Sequence, residues 1–599
     1  MLVIEKESRF NEACREVIGN LDTIKNQKEL QSLKIKIISK YGLEKIPSNI
    51  DLTNTANSEE RIKYAKILET KPIRNFSGVT PIALMAKPWN CPHGTCSFCP
   101  GGPNSYFGNT PKSYTGKEPS TMRSMRADYD SYSIVYNRLE QFCVMNKVPD
   151  KVEVIVQGGT FLFMPEQYQR EFLAGIYKAL NDFSEQFYDK TGEFLVDVFN
   201  RFFELPGSIK DVERVINVKK KVLMQKGIVN TNNLNFEKKR NETAKLRCIG
   251  LTIETKPDYG KLKHGLMMLE YGATRVEVGV QSVYDDVLKT MNRGHDLKDT
   301  IESIRILKDL GFKINAHYMP GLIEDRKKDF DGMKKLFEDG DFRPDMLKIY
   351  PCIILPGTVL YNKWKIGKFN PISTEEAAKM IAEFKRYVPE YCRIMRVQRD
   401  IPSTLVEGGV KKTNLRQLVF EHQKKEGIIC KCIRCREPRE EIQNINDYEV
   451  KTEIIEYEAS KGKEFFIQII GKKRPVNLKM KGRKNEKEYI TSSDDNKSNI
   501  LFGYLRLRFP SQSLIPQIPI DSAIVRELHV NGKAIPVARK EKGAVQHKGF
   551  GKQLMKIAEE IALANGKKKM VVISGIGVRE YYEKKIGYKL EEPYMIKYL

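Results

Sequence analysis

Three cysteines, Cys91, Cys96 and Cys99, stand at Cx4Cx2C spacing in WNCPHGTCSFCPGGP, and that run supplies no fourth. Three thiolates can ligate three irons of a four-iron four-sulfur cluster and leave the fourth iron open to an outside ligand. The amino and carboxylate groups of S-adenosylmethionine suit that vacancy. Electron transfer from the cluster then cleaves the molecule to a 5′-deoxyadenosyl radical, chemistry the cofactor supplies and the protein confines. The competing reading is a structural zinc site completed by His93. Gly158 and Gly159, which close KVEVIVQGGT, favour the cluster, because glycines after a strand let backbone approach a bound methionine moiety. A second triplet, Cys430, Cys432 and Cys435 in CKCIRC, has zinc-like spacing, with His422 the nearest fourth ligand. The other five of the 11 cysteines are scattered and read as packing residues.

A third constellation lies near the C-terminus. VRELHVNG followed by QHKGFGKQLMKIAEEIA reads as a strand, then a glycine-rich loop opening a helix. Free amides at such a helix start bind a pyrophosphate. The pattern Gln546-x-x-Gly549-x-Gly551 resembles the coenzyme A loop of the GNAT acetyltransferases. Tyr581 and Tyr582, in GVREYYEKKIGY, stand where that fold places a tyrosine able to protonate the departing thiolate. The alternative for both is a pair of core aromatics.

The elements that must position these residues form an α/β multi-domain chain. With 599 residues it exceeds what one hydrophobic core organises. Residues 1–75 read as helices, with Phe10, Ala13, Cys14, Val17, Ile18 and Leu21 at three-four spacing. From 76 to 400, β-branched runs such as VTPIALM, KVEVIVQ, LRCIGLTIET, RVEVGVQ, FKINAHY and DMLKIY alternate with amphipathic helices. That rhythm predicts a partial βα (TIM-like) barrel with its site at the C-terminal ends of the strands, where the first triplet falls. More than sixty residues after 183 break the rhythm and read as a helical, basic insertion. Residues 401–440 form a cysteine-rich, zinc-binding linker, and 441–599 an α+β domain with a basic loop, KKRPVNLKMKGRKNEK.

The formal charge of +25 favours a polyanionic partner. No run of about twenty apolar residues offers a membrane span, and the charged N-terminus lacks a signal-peptide core, so a cytoplasmic protein is expected.

Taken in order, WNCPHGTCSFCPGGP, SYTGKEPSTMRSMRADYD, KVEVIVQGGTF, GLTIETKPD, RVEVGVQS, KIYPC, RVQRDIPS, RELHVNG, QHKGFGKQL and ISGIGVREYY are very similar to the catalytic subunit of Elongator in its single-chain archaeal form. The resemblance spans nearly the whole chain. It implies a radical SAM barrel joined to a GNAT domain, and an acyltransferase that modifies carbon 5 of the wobble uridine in tRNA anticodons to carboxymethyl-uridine. Acetyl-CoA would donate the two-carbon unit, with S-adenosylmethionine, a four-iron four-sulfur cluster and an electron donor. Cys91, Cys96 and Cys99 would bind the cluster. Glu527, Leu528, His529, Val530, Gly549, Phe550, Gly551 and Tyr581 would contact acetyl-CoA, and Lys151 would reach the same ligand. The N-terminal helices, the barrel mouth and the linker would bind tRNA, with Lys348, Arg396 and Arg399 lining the path; barrel-end salt bridges are the alternative for these three. YYEKKIGY carries one residue more than the family pattern YYxKxGY. Two other functions compete: a protein lysine acetyltransferase, which leaves the triplet unexplained, and a tRNA-binding scaffold with a merely structural cluster. Whether the chain is a monomer or a homodimer stays open.

Overall fold

The computed structural model describes residues 2–68, 78–205, 211–230, 232–438, 445–474, 499–531 and 549–599. Gln546 and most of the basic loop after Lys473 lie outside the described residues. The chain divides into two compact units. One contains residues 1–82, 130–153 and 170–248, and the other 83–129, 154–169 and 249–599.

The first unit is helical. Leu2–Gly19 buries Ala13, Cys14, Val17 and Ile18, and Leu21 follows in a short 3-10 turn, as the three-four spacing requires. Gln27–Lys40 starts where the Asn26 side chain accepts from the amides of Lys28 and Glu29, satisfying donors a helix leaves open. The insertion is helical as expected, with Val196–Phe202, Val212–Lys226 and Asn233–Asn241. Phe183, Phe187, Phe199 and Phe203 interlock with ring centroids 4.6–6.3 Å apart. These rings explain why the long insertion folds at all.

A seven-stranded sheet organises the barrel region. Its strands are β1 (Val79–Met85), β2 (Lys151–Gln157), β3 (Arg247–Thr255), β4 (Arg275–Gln281), β5 (Lys313–Tyr318), β6 (Met346–Ile349) and β7 (Arg393–Arg396), in that order across the sheet. From β3 onward each neighbouring pair is parallel. β4 is buried almost throughout, as a strand covered on both faces should be. The sheet stays open, a half-barrel. Its last strand, in the run CRIMRVQ, comes in addition to the six runs read as strands.

The C-terminal sheet also has seven strands: β8 (Tyr448–Ala459), β9 (Gly462–Lys473), β10 (Ile500–Phe509), β11 (Ser522–Val530), β12 (Lys569–Val572), β13 (Lys589–Glu591) and β14 (Tyr594–Tyr598). Their order is β8-β9-β10-β11-β12-β14-β13. All neighbours run antiparallel except β11 and β12, which pair in parallel over Ser522–Val525 and Lys569–Val572 only. Beyond Val525 the two strands part, and Glu527–Val530 continue without β12 beside them. Helix Phe550–Ala564 covers this sheet, burying Leu554, Met555, Ala558 and Ala562 in the core.

A bulge in β11 decides which side chains face which way. Arg506 pairs with Glu527 but Leu507 pairs with Val525, so Arg526 is the extra residue. A bulge turns two successive side chains to one face. Arg526 and Glu527 consequently both point away from the helix, into a buried ion network shared with the half-barrel. Arg526 binds Asp345 (2.6 Å) and Glu464 (2.9 Å), Arg508 binds Asp309 (2.7 Å) and Glu464 (2.9 Å), and Arg506 binds Glu527 (2.8 Å). Lys308 lies 3.6 Å from Glu464. The four cations and four anions balance. Desolvation offsets much of such a network's attraction, yet removing one partner strands a buried charge at about 3–5 kcal/mol.

Candidate active site in the half-barrel and the C-terminal sheet

The first cysteine triplet occupies the loop after β1. Gly94 N donates to Cys91 O (3.1 Å) and Cys99 N to Cys96 O (2.9 Å), so two tight turns set the spacing of the thiols. The Gly-Gly that follows has a steric reason. A Cβ on Gly101 would lie 2.2 Å from the carbonyl oxygen of Pro111, and Gly102 has φ +137° with Lys112 packed against it. Only glycine lets the ribbon Gly102–Ser105/Gly108–Thr110 fold back onto the cysteine loop. Gly158 (φ +125°) and Gly159 (φ +91°) do comparable work: added Cβ atoms would meet Ala86 and Lys112 at 3.1 and 2.9 Å. Their freedom is spent on packing the loops flush.

Each sulfur has a polar neighbour. Cys91 Sγ lies 4.0 Å from Thr160 Oγ1, Ser113 N donates to Cys99 Sγ (3.2 Å), and His93 Nε2 sits 3.3 Å from Cys96 Sγ. Arg293 Nη1 is 3.7 Å from Cys96 Sγ. Burial and the neighbouring thiols push Cys91 and Cys99 upward, which a positive centre among them would reverse. Among the described residues, the metal-binding side chains that converge within 4.8 Å are Cys430–Cys432–Cys435 and Glu254–Glu277–His317. Cys91, Cys96 and Cys99 are spread wider, as a cluster several irons across demands. The donor set and its spacing fit a four-iron cluster.

The Glu254–Glu277–His317 group already holds a cation. Lys348, buried on β6, places its ammonium against Glu277 and 3.8 Å from Glu254. Burial opposes its charge, but Glu277, Tyr350 and Glu254 together hold its pKa above the ordinary lysine value. His317 Nε2 lies 3.0 Å from Glu277, and Tyr114 donates to Glu254 (3.1 Å). Lys348 therefore meets two carboxylates inside the barrel, the salt-bridge arrangement that was the alternative reading for this residue. Arg396 pairs with Asp400 at 2.5 Å and stays partly exposed. Arg399 donates to the carbonyl of Ser113, the residue whose amide faces Cys99, and lies 5.7 Å from the Tyr114 ring.

Sequence reasoning missed the segment Met291–His295. Ser97 N donates to Met291 O (2.9 Å), Asn292 Nδ2 donates to Thr95 O (3.0 Å), and a Cβ on Gly294 would strike His93 at 2.3 Å. It clamps the cysteine loop residue by residue. The signal in the sequence was NRGH itself, polar residues and a glycine directly after a short helix.

The linker triplet is different in kind. Its three sulfurs meet within 4.8 Å. Zn–S bonds of about 2.3 Å set tetrahedral sulfurs about 3.8 Å apart, so one ion fits. His422 instead pairs with Glu375 (2.8 Å). The short helix Ile433–Arg436 ties the trio to both sides: Ile433 N donates to Cys392 O (3.0 Å), and Arg436 donates to Gln468 (2.7 Å) and to Glu390 O (2.7 Å).

In the C-terminal sheet, helix Phe550–Ala564 begins at Gly549, which is left-handed (φ +78°). A Cβ on Gly551 would lie 2.8 Å from the Tyr581 hydroxyl. Tyr581 thus faces the helix start, while Tyr582 is buried in the core beside Tyr588. Burial raises both phenols, so both stay protonated at neutral pH. The extra residue of YYEKKIGY is absorbed in a π-helical turn over Tyr582–Ile586. Leu528 and Val530 pack toward the helix. Glu527 and His529 face the other way: Arg506 and Tyr504 bind Glu527, and His529 stacks on Tyr504 at 5.4 Å. Although burial opposes it, Lys313 and Arg506 hold Glu527 ionised down to about 2. Lys151 opens β2 in the helical unit, 4.0 Å from Asp150.

With this geometry in place, comparison with known proteins defines the class. Residues 201–337 match the radical SAM superfamily, 344–425 the Radical_SAM C-terminal domain, and 10–76 the ELP3 N-terminal domain. A radical SAM domain implies a four-iron four-sulfur cluster and S-adenosylmethionine. The tRNA uridine(34) acetyltransferase of Methanocaldococcus jannaschii is 38% identical over 92% of this chain and 90% of its own length, and that of Methanocaldococcus infernus 39% over 96% of each. Human Elongator complex protein 3 is 37% identical over 95% of this chain and 93% of its own. The solved Methanocaldococcus infernus Elp3, lacking its N-terminus, superposes with TM-score 0.64 at 34% identity, covering 87% of this chain and 99% of that one. The chain belongs to the Elp3 family of tRNA uridine(34) acetyltransferases.

Proposed function

We propose that this chain acetylates uridine 34 of tRNA as a radical SAM enzyme, drawing a two-carbon unit from acetyl-CoA to leave a carboxymethyl-type substituent on carbon 5. The observation that carries the reading is that one compact unit holds both a wide three-thiol loop at the mouth of a half-barrel and a helix start facing a protonated tyrosine. Bound at Cys91, Cys96 and Cys99, the cluster with S-adenosylmethionine supplies the one-electron chemistry that makes an acetyl C–H bond reactive.

The chain's own residues do the rest. Gly101, Gly102, Gly158 and Gly159 let the loops close around the cysteines and exclude water. Gly549, Phe550 and Gly551 offer free amides to the coenzyme pyrophosphate. Where β11 leaves β12, the backbone of Leu528–Val530 is open to hydrogen-bond an extended acyl arm, and the domain reads as a GNAT acetyltransferase. Tyr581, already against Gly551, donates its proton to the departing thiolate; Tyr582 supports it from the core. Glu527 and His529 hold the strand in place from the opposite face. Arg396 and Arg399 take the tRNA phosphates at the rim of the half-barrel, and the N-terminal helices are a second tRNA-binding element. Zinc at Cys430, Cys432 and Cys435 staples the linker. Lys151 is assigned to acetyl-CoA by family resemblance.

The test is anaerobic reconstitution with iron and sulfide, then reductant, S-adenosylmethionine, acetyl-CoA and bulk tRNA, read by nucleoside mass spectrometry beside Cys96→Ala. A carboxymethyl-uridine peak absent from the variant is the expected result. Acetyl-CoA consumption with an intact cluster and no modified uridine would sink the proposal.

A further inference from the structure

We infer that Lys256, acting through His93, and Arg293 are positioning residues that aim two N–H groups at Cys96 and so set the potential at which the cluster accepts its electron. The inference rests on reading Cys91, Cys96 and Cys99 as cluster ligands.

The argument begins with a tautomer. Lys256 is buried, and its Nζ lies 3.0 Å from His93 Nδ1, 3.1 Å from Asp258 and 3.5 Å from Gly294 O. An ammonium only donates, so Nδ1 of His93 is the acceptor and the ring proton sits on Nε2. That nitrogen is the one 3.3 Å from Cys96 Sγ, which makes the contact an N–H···S hydrogen bond. Arg293 arrives from the other side. Its Nη2 donates to Gly279 O (2.8 Å), which fixes the guanidinium plane and leaves Nη1 at 3.7 Å from the same sulfur. Gly294, with no room for a Cβ beside His93, keeps the ring upright. Cys96 is thereby distinguished from Cys91 and Cys99, whose sulfurs face a hydroxyl and a backbone amide.

One-electron reduction by an external donor adds negative charge to a group that three thiolates already make negative. N–H donors and nearby cations at the ligand sulfurs favour the reduced form. Neither Lys256 nor Arg293 has to touch substrate for this, which separates it from catalysis proper.

The experiment is a dithionite-poised EPR titration of the reconstituted full chain without S-adenosylmethionine, with iron and sulfide analysis of every sample. Lys256→Gln and Arg293→Gln are each expected to lower the reduced-to-oxidised ratio at fixed poise at least tenfold, about 59 mV for one electron. Lys256→Gln added to His93→Leu is expected to change little further, because the relay is already cut. Asn292→Ala, which loosens the same loop without removing an N–H from Cys96, is expected to keep the wild-type potential and reports any merely structural effect. Wild-type potentials in both glutamine variants would overturn the inference, as would a shift that emerges only after S-adenosylmethionine is added. A wild type with no four-iron signal would instead refute the ligand assignment beneath it, and Arg293→Lys replaces any variant that does not hold iron.

Discussion

The two cysteine triplets use the same side chain three times and build opposite sites. Cys430, Cys432 and Cys435 close to within 4.8 Å, space for one ion, on a linker bound to both neighbouring domains. Cys91, Cys96 and Cys99 stay apart, each sulfur supplied with its own N–H or O–H group. The difference lies less in the count of thiols than in what surrounds them. A structural ion needs ligands and a rigid frame, whereas a reactive cluster needs an approach route and a controlled charge environment.

The sharpest way to break the comparison is to remove one thiol from each. Cys96→Ala is expected to lose the cluster's visible absorbance and all tRNA product while retaining zinc. Cys432→Ala is expected to retain iron but lose zinc, and with it metal-coupled stability that reaches about 10 kcal/mol at structural sites. Metal analysis and thermal melts of both variants read this directly; loss of both metals in either one would erase the distinction.

A smaller effect is expected where both metal sites are full. Tyr581→Phe removes the hydroxyl that faces Gly551 and is predicted to slow coenzyme A release about 100-fold, the usual scale for a positioned proton donor. Tyr582→Phe removes a hydroxyl from the core beside Tyr588 and should leave that rate nearly unchanged. Equal losses in single-turnover assays, with unchanged iron and zinc, would deny Tyr581 its role.

Much of this was legible in the residues themselves. The half-barrel followed from alternating β-branched runs and amphipathic helices, and Ala13, Cys14, Val17, Ile18 and Leu21 pack as their spacing requires. Local patterns decide such features. The choice between Tyr581 and Tyr582 was not legible, because adjacent side chains diverge only once the helix start and the sheet core are placed against them. Nor was the fate of Lys348. A lysine in KIYPC looks like a phosphate ligand until two carboxylates, Glu254 of β3 and Glu277 of β4, arrive beside it from far earlier in the chain. The bulge that turns both Arg526 and Glu527 toward the half-barrel likewise depends on register with β10, which alternation along one strand cannot reveal.

The smallest effect concerns acid, and it separates the triplets once more. His295 is buried beside the cysteine loop. Burial, then the charges of Arg293 and Lys256, lower its pKa to about 2. An unfolded histidine titrates near 6.5. The unfolded segment therefore binds a proton that the folded one refuses, so stability is complete above about pH 6.5 and falls as pH drops toward 2. Between pH 7 and 5 the loss is at most about 2 kcal/mol. Hydrogen exchange of residues 291–298 in the reconstituted protein, corrected for the intrinsic pH dependence of exchange, is expected to show easier opening at pH 5, and His295→Gln is expected to flatten that dependence. Among the described residues the linker trio has no such buried histidine against it, since His422 pairs with the exposed Glu375. Its own acid sensitivity should follow zinc occupancy instead, because protons compete with the ion for thiolates. An unchanged slope in His295→Gln would assign the acid response of both regions to metal loss alone.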